Sequence, residues 1–209
     1  MKRSLQIFVS LFFAALLPIV CLVVLSRGDG EWLTPRAVEK AKETSDEFGA
    51  YSQMALLAMK EPDERLLMPV KGVRTRQIAD TWGAARSGGR GHTGQDIFAK
   101  KGTPVFSATE GYVLRVGENA LGGKVVFVFG AGGRRYYYAH LDGHEPNLKA
   151  GDYVTTDTVL GYVGATGNAA GTPPHLHFAV YAAGGAIDPL PLLADRTQNT
   201  AIIEGKKRL

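Results

Sequence analysis

The sequence is nearly devoid of cysteine, since Cys21 is the only one among 209 residues. Cys21 lies inside an uncharged apolar stretch near the N-terminus, so the rest of the chain can form no disulfide. A cysteine nucleophile and a cysteine-ligated metal site are excluded from that part of the chain for the same reason.

The chain also lacks a concentrated basic segment. Lysine and arginine total 24 against 20 aspartates and glutamates, giving a net charge of +4, but the basic residues are spread out. No lysine- and arginine-rich run is interleaved with aromatic residues, and we therefore predict that nucleic acid is not a partner. The mild positive balance suits an anionic polymer.

Helical periodicity is missing beyond Leu67. No ten-residue helical pattern separates the short apolar runs there, which argues against crossover helices and a parallel sheet. The 26 glycines favour short strands and tight turns. The predicted fold is mainly β, an antiparallel sheet, with candidate strands at Pro104–Ala108, Gly111–Val116, Lys124–Phe129, Arg134–His140, Thr158–Val163 and His175–Tyr181.

Some strand features can be predicted in more detail. Both faces of Lys124–Phe129 are apolar, so this strand should be central in the sheet. Turn signals occur at Gly122-Gly123, at residues 130–133 and at Asp142-Gly143. The last of these places His144 in a turn-like context, where we interpret it as a solvated loop histidine.

One long apolar run is present, from Ser4 to Ser26, and it follows the basic pair Lys2 and Arg3. A hydrocarbon core needs about 20 apolar residues to be crossed. A cleaved signal peptide is the alternative, but its apolar core is shorter and small residues mark its cleavage site. Residues 1–27 are therefore predicted to be an uncleaved single-pass anchor in the cytoplasmic membrane, with the folded domain on the periplasmic or extracellular side.

Residues 28–66 are predicted to form a juxtamembrane helical segment. Thr34-Pro35 is typical of a helix start, and Pro62 ends the pattern. Apolar residues recur between these points at helical spacing: Ala41, Phe48, Tyr51, Ala55 and Ala58. The folded domain is then predicted over residues 67–193, followed by a C-terminal tail over residues 194–209.

The last candidate strand, His175–Tyr181, contains two histidines. Strand alternation puts Leu176, Phe178 and Val180 on one face and both His175 and His177 on the other. The two imidazoles then point the same way, with Cα atoms roughly 6.6 Å apart. One of them can bind a metal ion while the other stands beside it as a proton-transfer or charge-stabilising group.

A second candidate motif joins His92 to Asp96, four residues later. An extended chain would separate their Cα atoms by roughly 13 Å, so both reach one ion only if the chain bends, which Gly94 permits. His92, Asp96 and one histidine of the 175/177 pair would form a ligand set typical of catalytic zinc, with the fourth position left to water.

The remaining histidine of the pair would act together with His140. Alternation places Tyr136, Tyr138 and His140 on one face of their strand. The chain has no His-Glu-x-x-His segment, so a helix-borne glutamate base is absent and an imidazole must do that work.

Four ordered segments give the chain a family resemblance: "HTGQD", "GTPVFSATEGYV", "YYYAHL" and "GNAAGTPPHLHF". Over residues 67–193 the sequence resembles the lysostaphin/LytM-type zinc metalloendopeptidases, and "IDPLPLL" is similar to the C-terminal end of that family. The resemblance implies an antiparallel β-sheet with a groove and cleavage of peptide cross-links or bridges in bacterial peptidoglycan. It also implies one Zn²⁺ per chain on His92, Asp96 and His177, with His140 and His175 as catalytic residues.

Some members of the resembled family have lost ligands and activate other wall hydrolases. All five family positions are filled here, which favours catalysis. The sequence therefore predicts a membrane-anchored peptidoglycan endopeptidase, and the alternative is a non-catalytic wall-binding module that activates another hydrolase. A regulatory protein partner is left open.

Overall fold

The computed structural model describes residue 49, residues 51–86 and residues 89–196. The predicted anchor, residues 1–27, lies outside the described residues, as does much of the predicted segment 28–66. Residues 51–58 are helical, in agreement with the periodicity that ends before Pro62. In the described part of the chain, no helix has the length and apolarity that a membrane crossing requires.

From residue 66 onward the described chain is built of short strands, as the sequence predicts. They are β1 (Leu66–Leu67), β2 (Ala85–Arg86), β3 (Arg90–Gly91), β4 (Gln95–Phe98), β5 (Pro104–Phe106), β6 (Gly111–Asn119), β7 (Gly123–Phe129), β8 (Arg135–His144), β9 (Tyr153–Val154), β10 (Val159–Val163), β11 (His175–Ala182), β12 (Gly185–Ile187) and β13 (Leu193–Ala194). Short 3₁₀ turns lie at Thr75–Gln77, Ala131–Gly133, Gly167–Ala169 and Leu190–Leu192.

Nine of these strands form one antiparallel sheet. Its main path runs β12-β11-β8-β7-β6-β9, while β4 pairs with β11, and β10 pairs with both β8 and β5. Each of the six predicted strands matches one of these strands to within a few residues. The prediction that Lys124–Phe129 is central is confirmed, because β7 lies between β6 and β8.

The end of β8 differs from the prediction. The turn expected at Asp142-Gly143 is wrong, because β8 continues to His144, and Gly143 and His144 pair with Tyr162 and Gly161 of β10. His144 is partly buried and its Nε2 lies 3.1 Å from the Val125 carbonyl oxygen, so it is not a solvated loop residue. The neighbouring strand β10 supplies backbone partners that outweigh the local turn preference of the Asp-Gly pair.

The hydrophobic core lies against one face of the sheet. Leu176, Phe178 and Val180 of β11 are fully buried there beside Tyr136 and Tyr138 of β8. Burial of a leucine, valine or phenylalanine side chain contributes about 1.5–3 kcal/mol. This energy fixes which face of β11 turns inward, and His175 and His177 are thereby turned to the other face.

Both ends of the described domain are tied to this core. Strand β1 pairs in parallel with β13, Leu66 with Leu193 and Leu67 with Ala194. Arg196 follows and donates hydrogen bonds to the carbonyl oxygens of Met68 (2.8 Å), Thr156 (2.7 Å) and Ser107 (3.0 Å). Residues on both sides of the predicted bounds at 67 and 193 therefore pack onto the β domain.

Candidate metal and catalytic site

The register of three adjacent strands brings the site together. His177 of β11 pairs with Asp96 of β4 on one side and with Ala139 of β8 on the other. A residue of an antiparallel strand faces its cross-strand partner at about 4.5–5.5 Å, so the His177 and Asp96 side chains meet on the face opposite the core. His140, which follows Ala139, is brought to the same place.

His92, Asp96 and His177 converge on one point. The His92 Nε2 atom lies 2.8 Å from His177 Nδ1 and 3.1 Å from Asp96 Oδ1. The distance from His177 Nδ1 to Asp96 Oδ1 is also 3.1 Å. The bend between His92 and Asp96 that the sequence requires is therefore present.

Gly94, at the bend, acts through close approach rather than through a left-handed backbone. A Cβ atom on Gly94 would lie 2.7 Å from His177 Cε1 and 2.7 Å from the Phe178 carbonyl oxygen. Cβ contacts below 3.0 Å essentially do not occur, so a side chain here would displace the His177 ring or the β11 backbone. Gly94 thus gives His177 the space that it needs beside Asp96.

His92 is oriented by the backbone of an earlier segment. Its Nδ1 lies 2.7 Å from the carbonyl oxygen of Thr81, and a carbonyl can only accept, so Nδ1 carries the proton. The Nε2 lone pair is then directed at Asp96 and His177. Asp96 is itself held by Arg86, whose Nη2 pairs with Oδ2 and leaves Oδ1 for the two histidines.

The electrostatics of the site favour unprotonated ligands. Burial alone would raise the pKa of Asp96, but its contacts with His177, His92 and Arg86 outweigh it and hold the pKa of this carboxyl well below its usual range. Burial lowers the pKa of His177, although Asp96 opposes that shift. Asp96 is therefore ionised and His177 neutral at neutral pH, as metal ligation requires.

His140 reaches the site through a β-bulge, and the prediction that it shares a face with Tyr136 and Tyr138 is wrong. Val126 pairs with Tyr138 whereas Lys124 pairs with Leu141, so two β8 residues lie opposite Val125. His140 has a φ of +62°, a left-handed conformation. The bulge turns His140 away from the core, to which strict alternation would have assigned it.

His140 and His175 are each held by a backbone carbonyl at Nδ1. The Nδ1 of His140 lies 2.9 Å from the Thr166 carbonyl oxygen, and that of His175 lies 2.9 Å from the Pro173 carbonyl oxygen. Each Nδ1 is therefore protonated and each Nε2 is an acceptor. The two ring centroids are 5.0 Å apart, and His175 Nε2 lies 3.9 Å from Asp96 Oδ1.

Burial chiefly lowers the pKa of His140, to about 4, although the Thr166 carbonyl opposes that shift. This imidazole is therefore neutral at neutral pH, with a free Nε2 that can accept a proton.

All five side chains line one groove of about 790 Å³. Phe127 and Tyr137 also line the groove, with their ring centroids 4.5 Å apart, and the Tyr137 ring lies 5.9 Å from that of His177. Arg135 and Tyr181 also line it. A groove lined by aromatic side chains and a small number of polar groups can accept a peptide.

The donor set fits a zinc ion. Two imidazole nitrogens and one carboxylate oxygen bind Zn²⁺ at about 2.0–2.2 Å, which in a tetrahedron separates neighbouring donors by about 3.3 Å. The three observed separations of 2.8–3.1 Å need only a slight opening to reach this value. Within the described residues, His92, Asp96 and His177 form the group of histidine and acidic side chains that is compact enough to hold a metal ion.

Some contacting residues have no signal of their own in the sequence. Thr81 contacts His92 across 11 positions, and Arg86 contacts Asp96 across 10. Gln95 lies inside the "HTGQD" segment, where nothing in the local pattern indicates a role for it. Only the tertiary arrangement shows that these three residues contact each other or the candidate ligands.

Comparison with known proteins gives the family. Residues 90–189 match the family model of peptidase family M23. The chain carries an M23 peptidase domain. The predicted resemblance to the lysostaphin group is thereby confirmed.

Relatives of the M23 domain include peptidases of known action. The chain is 39% identical over 124 residues to an L-Ala–D-Glu endopeptidase of Bacillus subtilis, a match covering 54% of this chain and 38% of that protein. It is 35% identical over 108 residues to lysostaphin of Staphylococcus staphylolyticus, covering 49% of this chain and 22% of that protein. The chain therefore spans well under half the length of either relative.

The fold is also found among solved structures. Helicobacter pylori Csd3 superposes with a TM-score of 0.52 and 32% identity, covering 69% of this chain and 40% of that one. The M23 domain thus has the mainly antiparallel, lysostaphin-like fold that the sequence predicted.

Proposed function

We propose that this chain is a zinc-dependent endopeptidase that hydrolyses peptide cross-links or bridges of bacterial peptidoglycan. The observation that carries the proposal is the convergence of His92 Nε2, Asp96 Oδ1 and His177 Nδ1 within 3.1 Å of one another. Two further imidazoles stand beside them in the same groove. The relative named as an L-Ala–D-Glu endopeptidase supports peptide-bond cleavage, and membership of the M23 family, whose members are peptidoglycan endopeptidases, supports the substrate class.

His92, Asp96 and His177 would hold the ion. When bound, zinc supplies Lewis acidity to a peptide carbonyl and to a water molecule. The residues provide what this needs: one imidazole nitrogen from each of the two histidines and one ionised carboxylate, converging on a single point. Arg86, paired with the other oxygen of Asp96, keeps that carboxylate to one donor atom in the site.

His140 and His175 would act on the substrate. Each keeps its proton on Nδ1, against a backbone carbonyl, and presents Nε2 to the groove. A neutral Nε2 can take a proton from the attacking water and then, as the imidazolium, donate it to the leaving amine or stabilise negative charge on the carbonyl oxygen. Because two such groups are present, one can serve each side of the scissile bond.

The test is digestion of purified sacculi and defined muropeptides by the full-length chain, with products identified by mass spectrometry. We expect new amino and carboxyl termini at one class of peptide bond, in proportion to bound zinc. Chelation and Asp96→Ala should both abolish them.

The alternative is a non-catalytic wall-binding module that activates another hydrolase. It would be favoured if zinc-loaded chain bound sacculi and released no product. The complete set of five side chains disfavours this alternative.

We further propose that residues 1–27 anchor the chain in the cytoplasmic membrane, with the M23 domain on the outer side. The uncharged stretch from Ser4 to Ser26 supports this location. It would place the groove next to the cell wall.

A further inference from the structure

Gln95 is a fully buried polar residue next to the ligand Asp96. Its side-chain oxygen accepts hydrogen bonds from the Thr81 backbone N–H (2.9 Å) and the Thr81 hydroxyl (3.0 Å). Its side-chain nitrogen donates to Asp80 Oδ1 (2.8 Å) and Asp188 Oδ1 (3.1 Å). The amide thus makes all four of the hydrogen bonds available to it.

The two carboxylates fix the orientation of this amide. Asp80 and Asp188 offer only acceptors when ionised, so the NH₂ group of Gln95 must face them and the oxygen must face Thr81. Asp80 Oδ1 also accepts from the Trp82 N–H (3.0 Å), and Asp188 Oδ1 from the Leu190 N–H (2.9 Å). Both carboxylates are therefore anchored to the backbone as well. Asp188 belongs to the "IDPLPLL" segment, whose role the proposed catalysis leaves unexplained.

Thr81 connects Gln95 to two of the candidate metal ligands. The Thr81 carbonyl accepts from His92 Nδ1 (2.7 Å) and so keeps Nε2 free to bind an ion. The Thr81 hydroxyl, while donating to Gln95, accepts from the backbone N–H of Asp96 (3.0 Å). The Thr81 carbonyl also accepts from the Ala84 N–H (3.3 Å), and all other hydrogen bonds of this threonine are made to Gln95 or to a ligand residue.

We propose that Gln95 is the positioning residue of the metal site. Through Thr81 it selects the tautomer and ring orientation of His92 and holds the backbone of Asp96. This inference rests on the proposed zinc site and adds to it the residues that keep the site organised without metal. Partners of this kind behind metal-bound histidines typically change metal affinity or activity about 10–100-fold when they are removed.

Loss of the Gln95 hydrogen bonds would disturb His92 because of its effect on Thr81. Residues 78–81 form no helix or strand, so without Gln95 the Thr81 N–H and hydroxyl would need new acceptors. The segment would shift to find them, and its carbonyl would move away from His92. His92 could then carry its proton on Nε2, the nitrogen that the metal needs.

The test uses Gln95→Met in the full-length chain, because methionine has similar length but neither donates nor accepts strongly. Two quantities are measured: zinc affinity by competition with a chelator, and the His92 tautomer from imidazole ¹⁵N shifts in the zinc-free protein. We expect a loss of zinc affinity of at least about tenfold. We also expect a mixture of tautomers where the wild-type protein shows Nδ1–H alone.

Ser107→Ala is the matched control. Ser107 is also fully buried and donates one hydrogen bond, to the Thr109 carbonyl (2.7 Å), but it does not line the groove as the structure describes it. We expect this variant to lose stability while keeping the wild-type zinc affinity and tautomer. Equal effects of Ser107→Ala and Gln95→Met on zinc affinity would reduce Gln95 to a general stabilising role and overturn the proposal.

A folded Gln95→Met that leaves either the zinc affinity or the His92 tautomer unchanged also overturns the proposal. If Gln95→Met fails to fold, Thr81→Val and Thr81→Ser decide by the same two measurements. Valine loses the hydroxyl and should reproduce both effects, whereas serine keeps it and should behave as wild type. The tautomer is measured without zinc, so it tests the role of Gln95 even if the chain proves not to be a zinc peptidase.

Discussion

At the residue scale, the site separates side chains that would hold an ion from side chains that would act on substrate. His92 Nε2, Asp96 Oδ1 and His177 Nδ1 point at one another, whereas His140 and His175 are each fixed at Nδ1 by a carbonyl and present Nε2 to the groove. Metal binding and catalysis can therefore be separated by substitution.

Substitution of His140 or His175 by alanine should reduce turnover without removing zinc. Loss of a general base or acid typically costs about 10²–10⁴-fold in rate, and we expect a fall of this size in kcat with little change in KM. Asp96→Ala, in contrast, should lose stoichiometric zinc and activity together. Zinc content by mass spectrometry and kinetics on a defined muropeptide check both. Loss of zinc from His175→Ala would make His175 a ligand and exchange its role with His177.

The depressed pKa of His140 also predicts a pH dependence of stability in the zinc-free protein. In the unfolded chain this histidine takes up a proton near the ordinary histidine pKa of 6.5, whereas in the folded protein it resists protonation until about pH 4. Between these values the unfolded state binds more protons, so the free energy of unfolding falls as the pH is lowered.

Denaturant unfolding of wild-type protein and His140→Gln from pH 7 to pH 4 checks this dependence. The wild-type protein should lose stability more steeply through this window than the variant does. Identical slopes would show that burial of His140 makes no difference to acid stability.

At the scale of elements, β11 carries the organisation of the site. Its position between β4 and β8 places His177 opposite Asp96 and beside the bulge that contains His140. Its other face is buried in the core through Leu176 and Phe178. The packing that stabilises the sheet therefore also fixes the histidines, and the β11 backbone has little freedom to move.

Gly94→Ala tests this lack of freedom. The new Cβ would meet His177 and the Phe178 carbonyl at 2.7 Å, so His177 or β11 must shift. We expect a loss of about 1–3 kcal/mol in unfolding free energy, typical of overpacking, together with weaker zinc binding. Gly91→Ala is the control, because a Cβ there would meet only Gly83, at 3.7–3.8 Å. Chelator competition and thermal unfolding of both variants measure the difference; equal zinc affinity in the two would contradict the close-approach argument.

At the scale of the whole molecule, the proposed membrane anchor and the proposed wall substrate of the groove are compatible with each other. The M23 domain would act on an insoluble wall polymer, and an anchor would keep it beside that polymer. The described residues contain no membrane-crossing helix, so the anchor proposal rests on residues outside them.

We expect the full-length protein to fractionate with membranes through its residues 1–27, because a span of this length and apolarity is stable in a bilayer. The M23 domain should become accessible to added protease once the outer layers of the cell are permeabilised. Fractionation, protease protection and N-terminal sequencing of the recovered protein check this. Recovery of a soluble form that begins near Arg27 would restore the cleaved signal-peptide interpretation.

The sequence by itself determined the features that depend on near neighbours. Strand alternation put His175 and His177 on one face, opposite Leu176 and Phe178, because the side-chain period of a strand is fixed by its backbone. The apolar character of both faces of Lys124–Phe129 likewise predicted its central position.

Only the tertiary structure decided the features that depend on distant pairing. The register of β11 against β4 sets His177, rather than His175, within 3.1 Å of Asp96. The bulge in β8, against β7, moved His140 from the core face to the groove. The contacts of Thr81 with Gln95 and His92 join segments with no local pattern in common. Register, bulges and buried polar contacts are set by the packing of remote segments against one another, which no local period encodes.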